Sequence, residues 1–426
     1  MTDDRADKGA GDQTDESASE VHPGLDNRLD NHAFIPHPSS PILSESRPTW
    51  AEINLDNLIH NFRVTKAAIG PGTAIMPAVK ADAYGHGAVE CARALEGAGA
   101  DWFGVALPEE GLKLRDAGIA RPVLCLGGFW EGQEEAIVAR ELTPALFRLD
   151  LLERLDGAAR GAGVRANYHL KIDTGMGRLG VPHAELASFL DGAARFRNVN
   201  LDGVMTHLAS ADEPDKCDFT ESQMSLFESA VEMMRDRQHR PTWIHLANSA
   251  ASHAYPRARG NLVRIGGVMY GLWRDVTRPD VKPLDWRPVM SLHTRVALLK
   301  TVPPGTPLGY GGTFVTARES LIATLPIGYE DGLRRALSNR GRVIVRGQFA
   351  PIVGRVSMDL TIVDVTDAEG VTTGDEVLII GSRGMNHISA EEIAASIGTI
   401  SYEVTCGISD RVPRIRVGGA QQAVGS

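Results

Sequence analysis

The apolar run IMPAV leads directly into Lys80. Burial beside such a run disfavours the ammonium form and lowers the amine's pKa, which suits it to Schiff-base chemistry with an aldehyde cofactor. Taken alone, the position fits equally well a lysine that buries its stem and snorkels its head to water. Tyr84 and Gly85-His86-Gly87 follow at once and add a hydroxyl and flexible backbone. Further polar residues stand at the ends of later apolar runs. Arg178 closes KIDTGMGR after the run carrying Lys171, and His207 ends NLDGVMTH. Asn248-Ser249 ends WIHLANS, and Arg264 is followed by Gly266-Gly267. Ser249 and the two glycines can bind a phosphate through backbone N–H groups. Each residue alone reads as structural; a series on successive run ends reads as a site.

Elements of a particular kind must hold such a series. From about Trp50, short apolar runs alternate with helical spacing. DWFGVAL precedes PEEGLKLRDAG, RPVLCLGGF precedes QEEAIVARE, and TPALFR precedes LDLLERLDGAARG. ANYHLKID, NLDGVMTHLA with SQMSLFESAVEMMRDR, TWIHLANS and NLVRIGG continue the pattern. TAIMPAVKADAYGHG reads as a strand entering a glycine-containing loop. Repeated strand-then-helix units predict a parallel sheet, and their number fits a TIM-type (β/α)8 barrel, whose catalytic groups sit at strand C-termini. After Pro288 the helices nearly vanish. SLHTRVALLKTV, SLIATLPIG, RGRVIVRGQFAPIVGRVSMDLTIVDVT and DEVLIIG predict an antiparallel β domain. The helical run ISAEEIAASIG interrupts it before the expected strands SYEVTCGI and RIRV. The expected division is an acidic leader over 1–46, a barrel over 47–285 and a β domain over 286–420.

Size and charge set outer limits. A chain of 426 residues exceeds one ordinary core. Its net charge of −10 argues against nonspecific nucleic-acid binding, which needs a basic face. No apolar stretch approaches the roughly 20 residues of a membrane span. The leader lacks the basic and apolar regions of a secretory signal and has a disordered composition, so a cytoplasmic protein is expected. Cys91, Cys125, Cys217 and Cys406 are scattered, without metal-ligand spacing, and are expected to be reduced; no metal is expected.

AVKADAYGHG, HLKIDTGMGRLG, GVMTHLASADE, HLANSA, VRIGGVMYGL, LGYGGTF, LPIGYEDGLRR, PIVGRVSMD and SYEVTCGISDRVPR, in that order, resemble the alanine racemase family across about residues 48–417. The resemblance implies a pyridoxal 5'-phosphate (PLP) barrel plus a β domain, paired head to tail as a homodimer with shared sites. It implies that Lys80 carries PLP and serves as one base for L- and D-alanine, with Tyr310 of the partner as the other. By the same resemblance Tyr84, His207, Asn248, Ser249, Arg264, Gly266 and Gly267 contact the cofactor. Arg178 and the backbone of Met358-Asp359 receive the substrate carboxylate. His245 stands behind Arg264, and Lys171, often carbamylated in the family, orients Arg178. Tyr329 and Arg355 are implied at the entrance. The family's usual role is supplying D-alanine for peptidoglycan.

Some members carry a phosphate-contacting tyrosine just before RVPR, where this chain has Asp410, which leaves strict alanine selectivity open. The alternatives are a racemase of broader specificity, for example for serine, a decarboxylase of the same barrel class, and a non-catalytic PLP-binding barrel. Arg264 argues against the decarboxylase, which places an acidic residue at the pyridine nitrogen. The β domain and Tyr310 argue against the non-catalytic barrel.

Overall fold

The computed structural model describes residues 47–419, so the leader expected over 1–46 lies outside the described residues. Strand β1 is Trp50–Asn54, followed by helix α1, Leu55–Ile69. The Asn54 side chain accepts the Asn57 N–H at 2.9 Å and starts that helix. A barrel of parallel strands then forms from β2 (Ala74–Pro77), β3 (Phe103–Val105), β4 (Val123–Cys125), β5 (Leu142–Leu146), β6 (Ala166–Asp173), β7 (Val199–Met205), β8 (Trp243–His245) and β9 (Leu262–Ile265). Strands β3 to β8 pair in sequence order, and β9 pairs in parallel with β2. The Val79 N–H donates to Gly104 O at 2.8 Å and joins the β2 end to β3. The β3 to β5 strands are buried along their whole length, as a sheet covered on both faces requires.

The second region is mostly antiparallel. Strand β10, Met290–Arg295, pairs with Glu376–Arg383, which pairs with Arg342–Val345. A separate sheet orders Leu298–Val302, Ser320–Leu325 and Thr361–Asp364. Among the described residues no helix is long and apolar enough to cross a membrane. The four cysteines are free, with Cys91 and Cys125 buried.

Three elements differ from their sequence reading. Strand β1 is hydrogen-bonded into the second sheet, antiparallel to β10 and parallel to Arg414–Val417, so the regions expected at 47–285 and 286–420 share a strand. Local alternation cannot reveal that, because pairing partners are chosen over long sequence separation. SYEVTCGI is not a strand: Ser401–Cys406 is a helix. Its first turn is held by Asp275, which accepts the Ser401 N–H at 2.6 Å and the Ser401 hydroxyl at 2.8 Å. Tertiary capping thus overrides the β preference of Tyr, Val and Thr. Thirdly, the expected loop after β2 is a tight turn in which Ala81, Asp82, Ala83 and Tyr84 all have φ between 50° and 56°. Left-handed conformation costs about 1–2 kcal/mol per non-glycine residue, so surrounding contacts must hold it. Glu110 accepts the Ala81 N–H at 2.6 Å, Asp82 accepts the Ala88 N–H at 2.8 Å, and Arg414 donates to Gly85 O at 3.1 Å.

Candidate functional site

At the C-terminal ends of the barrel strands lies a cavity of about 450 Å³. Lys80, Tyr84, Lys171, Arg178, His207, Asn248, Ser249, Arg264 and Gly266 all line it. The barrel register brings these residues together. Lys171 pairs with Met205 and Met205 with His245, so one row crosses β6, β7 and β8 just below His207. On β9, Arg264 lies beside Met76, and Met76 leads toward Lys80.

Arg264 is the electrostatic centre. It is 5% exposed, and burial takes its pKa down to about 10, which leaves it charged at neutral pH. Its guanidinium donates to the carbonyls of Thr206 at 2.7 Å, Leu246 at 2.9 Å and His245 at 3.1 Å. It also lies 3.2 Å from His207 Nδ1 and 3.0 Å from His245 Nδ1. A guanidinium has no acceptor, so both Nδ1 atoms are lone pairs. Burial, reinforced by the Arg264 charge, holds both histidines well below the ordinary histidine range and hence neutral. His245 therefore carries its hydrogen on Nε2 and donates it to His169 Nδ1, 2.8 Å away. His207 likewise carries its hydrogen on Nε2. Burial takes fully buried His169 down to about 3.

The two lysines differ in depth. Burial, then the nearby Arg178 charge, pushes the Lys80 pKa down, opposed by Glu110. Lys171 is 6% exposed; burial, then Arg264, Arg178 and Lys80, takes it down to about 8. Four basic groups line the cavity against two carboxylates, Asp212 and Asp275, a balance that favours anions.

One corner is built for a compact oxyanion. Ser249 begins the short helix Ser249–Ala254, its hydroxyl accepts the Gly266 N–H at 2.9 Å, and Asn248 caps that helix by accepting the Ala251 N–H at 3.0 Å. The rings of Tyr84 and Tyr402 pack at a tilt of 58° with centroids 5.0 Å apart, and burial pushes both phenols up, so they remain O–H donors. A Cβ at Gly266 would lie 2.6 Å from the Tyr84 hydroxyl, and one at Gly267 would lie 2.4 Å from Tyr402. Only glycine admits both hydroxyls beside this backbone. The corner supplies two phenols, a serine hydroxyl and a helix N-terminus, and so fits a phosphate monoester; Lys80 in the same cavity fits the aldehyde of PLP.

Sequence reasoning missed Tyr402 and His169. Tyr402 lines the cavity and receives the Gly267 N–H, whereas Asp410 is exposed on a turn and does not line it. The tyrosine in this corner therefore stands at 402, and Asp410 is not its replacement. No sequence signal marked it once SYEVTCGI was read as a strand. His169 sits two residues before Lys171, on the same face of β6, which is the signal that could have found it.

Tyr310, Met358 and Asp359 do not line the cavity of their own chain. Tyr310 is 71% exposed and Met358 is half exposed, and Asp359 accepts from Arg411 at 2.8 Å. The Tyr310 and Arg355 loops adjoin: a Cβ at Gly309 would lie 3.0 Å from Arg355 N. The Tyr329 N–H donates to Ser357 O at 2.9 Å, which places these residues on one face. Among the described residues no group of three or more His, Cys, Asp or Glu is arranged to hold a metal.

A family model described as alanine racemase, N-terminal domain, matches residues 53–273, and one described as alanine racemase, C-terminal domain, matches residues 289–416. A protein of Geobacter sulfurreducens named alanine racemase is 45% identical over 374 residues, covering 87% of this chain and 97% of that protein. The crystal structure of alanine racemase from D-cycloserine-producing Streptomyces lavendulae superposes with a TM-score of 0.82 at 36% identity, covering 88% of this chain and 98% of that one. The alanine racemase of Bartonella henselae, solved with covalently bound pyridoxal phosphate, superposes with a TM-score of 0.78 at 29% identity, covering 87% of this chain and 100% of that one.

Proposed function

The chain belongs to the alanine racemase family, and from that premise we propose that it interconverts L- and D-alanine with PLP attached at Lys80. The observation that carries the reading is that one cavity holds a half-buried amine, Lys80, and a buried guanidinium, Arg264, whose histidine neighbours His207 and His245 are both neutral acceptors. Ser249, Tyr84 and Tyr402 would hold the phosphate, beside a Gly266-Gly267 backbone that only glycine keeps open to them. When bound, PLP supplies an electron sink that acidifies the substrate Cα–H.

The residues then divide the labour. Racemisation requires a proton taken from one face of Cα and delivered to the other, so two acid/base groups must flank it. Lys80 Nζ serves one face, and burial, which lowers its pKa, favours the neutral amine that a base must be. Tyr310 of a second copy serves the other, in a head-to-tail homodimer; its exposure, with that of Tyr329 and Met358, supports a surface made to be covered. Tyrosine is a weak base with an ordinary pKa of about 10. His207, whose Nδ1 takes the Arg264 N–H, would offer its Nε2–H to the Tyr310 oxygen of the second copy and hold it in place. With PLP bound, Arg264 would offer the ring nitrogen a donor that does not give up its proton, which would limit electron withdrawal and discourage transamination. Arg178 and the Met358-Asp359 backbone of the second copy receive the substrate carboxylate. Lys171, cation-ringed and 6% exposed, is a ready site for carbamylation, since the added negative charge answers Arg178.

On this reading the enzyme works in the cytoplasm and feeds D-alanine to peptidoglycan, the family's usual role. The test is racemisation of a panel of L-amino acids by purified protein, followed by chiral separation. Alanine should be turned over at least tenfold faster than serine; no racemisation of any amino acid would overturn the reading.

A further inference from the structure

A second cavity, of about 240 Å³, is lined from β1, from β10, from the strand Glu376–Arg383, from His86 and from the start of the helix Ala390–Ile397. Its charge is one-sided. Glu52 and Glu391 contribute carboxylates and Asn54, Ser291 and Ser382 contribute uncharged polar groups, while no lysine or arginine is among its described lining residues. Glu391 is 8% exposed, yet its partners are weak: the Trp273 N–H at 3.4 Å and Arg274 at 3.8 Å, both on Oε1. The first turn of its helix compensates the charge in part, and Oε2 has no hydrogen-bond or ion-pair partner among the described residues, which leaves that oxygen to favour a further cation.

The second observation is a buried imidazole. His86 is 1% exposed, and its Nδ1 lies 3.0 Å from the carbonyl oxygens of both Ala83 and Tyr84, so Nδ1 carries the hydrogen. Burial takes the ring down to about 4, which leaves it neutral at pH 7. Nε2 is then a bare acceptor, and it has no hydrogen-bond partner among the described residues. An apolar occupant would leave this lone pair unanswered, and an anionic one would meet two carboxylates. A donor that is also a cation answers both.

We propose that this cavity binds a small organic ammonium ion, with an N–H donated to His86 Nε2 and its charge set against Glu391 and Glu52. The site is separate from the one around Lys80 but adjoins it through one residue. His86 braces the left-handed turn that presents Tyr84, and its ring packs on Tyr270 at 4.6 Å, which packs on Tyr84 at 5.2 Å.

The probe is 2-(dimethylamino)ethanol hydrochloride, a tertiary amine that cannot condense with an aldehyde and so does not compete at Lys80. Titrated calorimetrically into the full-length holoenzyme, it should bind once per chain with a Kd of about 1 mM or tighter. Its neutral isostere 3-methylbutan-1-ol should bind at least tenfold more weakly. Glu391→Gln should remove most of that preference. Should this variant fold poorly, the unaltered protein still decides: in histidine-labelled enzyme the His86 Nε2 resonance should move on saturation with the amine. Equal affinity for amine and alcohol, or an unmoved His86 resonance at saturation, would show that the cavity holds water alone and overturn the proposal.

Discussion

Two residues in the cavity make separable predictions. Tyr402 lends a hydroxyl to the oxyanion corner, and a hydrogen bond to a charged group contributes about 1.5–3 kcal/mol. Tyr402→Phe keeps the ring packed on Tyr84 while removing that donor. PLP affinity, read by absorbance titration of the apoenzyme, should fall roughly tenfold or more. Asp410→Tyr, by contrast, should leave both PLP affinity and the serine-to-alanine ratio of kcat/KM unchanged, because Asp410 does not line the cavity. Lys171 makes a prediction in pH. Its folded pKa, about 8, lies below the ordinary 10.5, so the folded state binds this proton less tightly than the unfolded chain does. Stability therefore carries the full penalty below pH 8 and recovers it as pH rises from about 8 to 10.5. In carbonate-free buffer Lys171→Met should be more stable than wild type at pH 7, with the gap closing by pH 10. Bicarbonate should stabilise wild type and not the variant, because only the amine can take up CO2.

Elements decide which of these residues meet. Asp275 holds the first turn of Ser401–Cys406, and that helix carries Tyr402 into the cavity. Asp275→Ala should cost about 1–2 kcal/mol of stability, the usual loss for a helix cap, and should weaken PLP binding as Tyr402→Phe does. A lower Tm with unaltered PLP affinity would mean that the helix keeps its place without the cap. The same helix shows where the sequence is silent. Barrel strands and their helices were legible because each carries its own apolar period, and strand-end polarity then located Lys80, His207, Ser249 and Arg264. SYEVTCGI has strand-like residues and a helix-capping partner more than a hundred residues away, so its structure is decided by tertiary contact. The turn at 81–84 is similar: Ala, Asp, Ala and Tyr do not announce a left-handed path, and Glu110 and Arg414 impose it from outside. Strand β1 joins the second sheet for the same reason, since its neighbours are 290–295 and 414–417.

At the scale of the molecule, one chain presents half of the proposed two-base site. Lys80 lines the barrel cavity, while Tyr310 stands exposed on the other region and does not line that cavity. On that proposal the second base comes from a second copy, and exposed apolar groups of the same region, Met358 at 50% and Leu360 at 46%, give that copy something to cover. A two-fold pair makes both sites equivalent, each with Lys80 from one chain and Tyr310 from the other. Lys80→Ala and Tyr310→Ala should each lose nearly all racemase activity alone. Mixed in equal amounts and allowed to exchange subunits, about half the dimers are hybrids, and each hybrid has one site with both lesions and one with neither. Activity should therefore return to about a quarter of wild type. Native mass spectrometry checks that exchange has occurred. Hybrid dimers without recovered activity would place Tyr310 and Lys80 of one chain at the same site, or remove Tyr310 from the chemistry altogether.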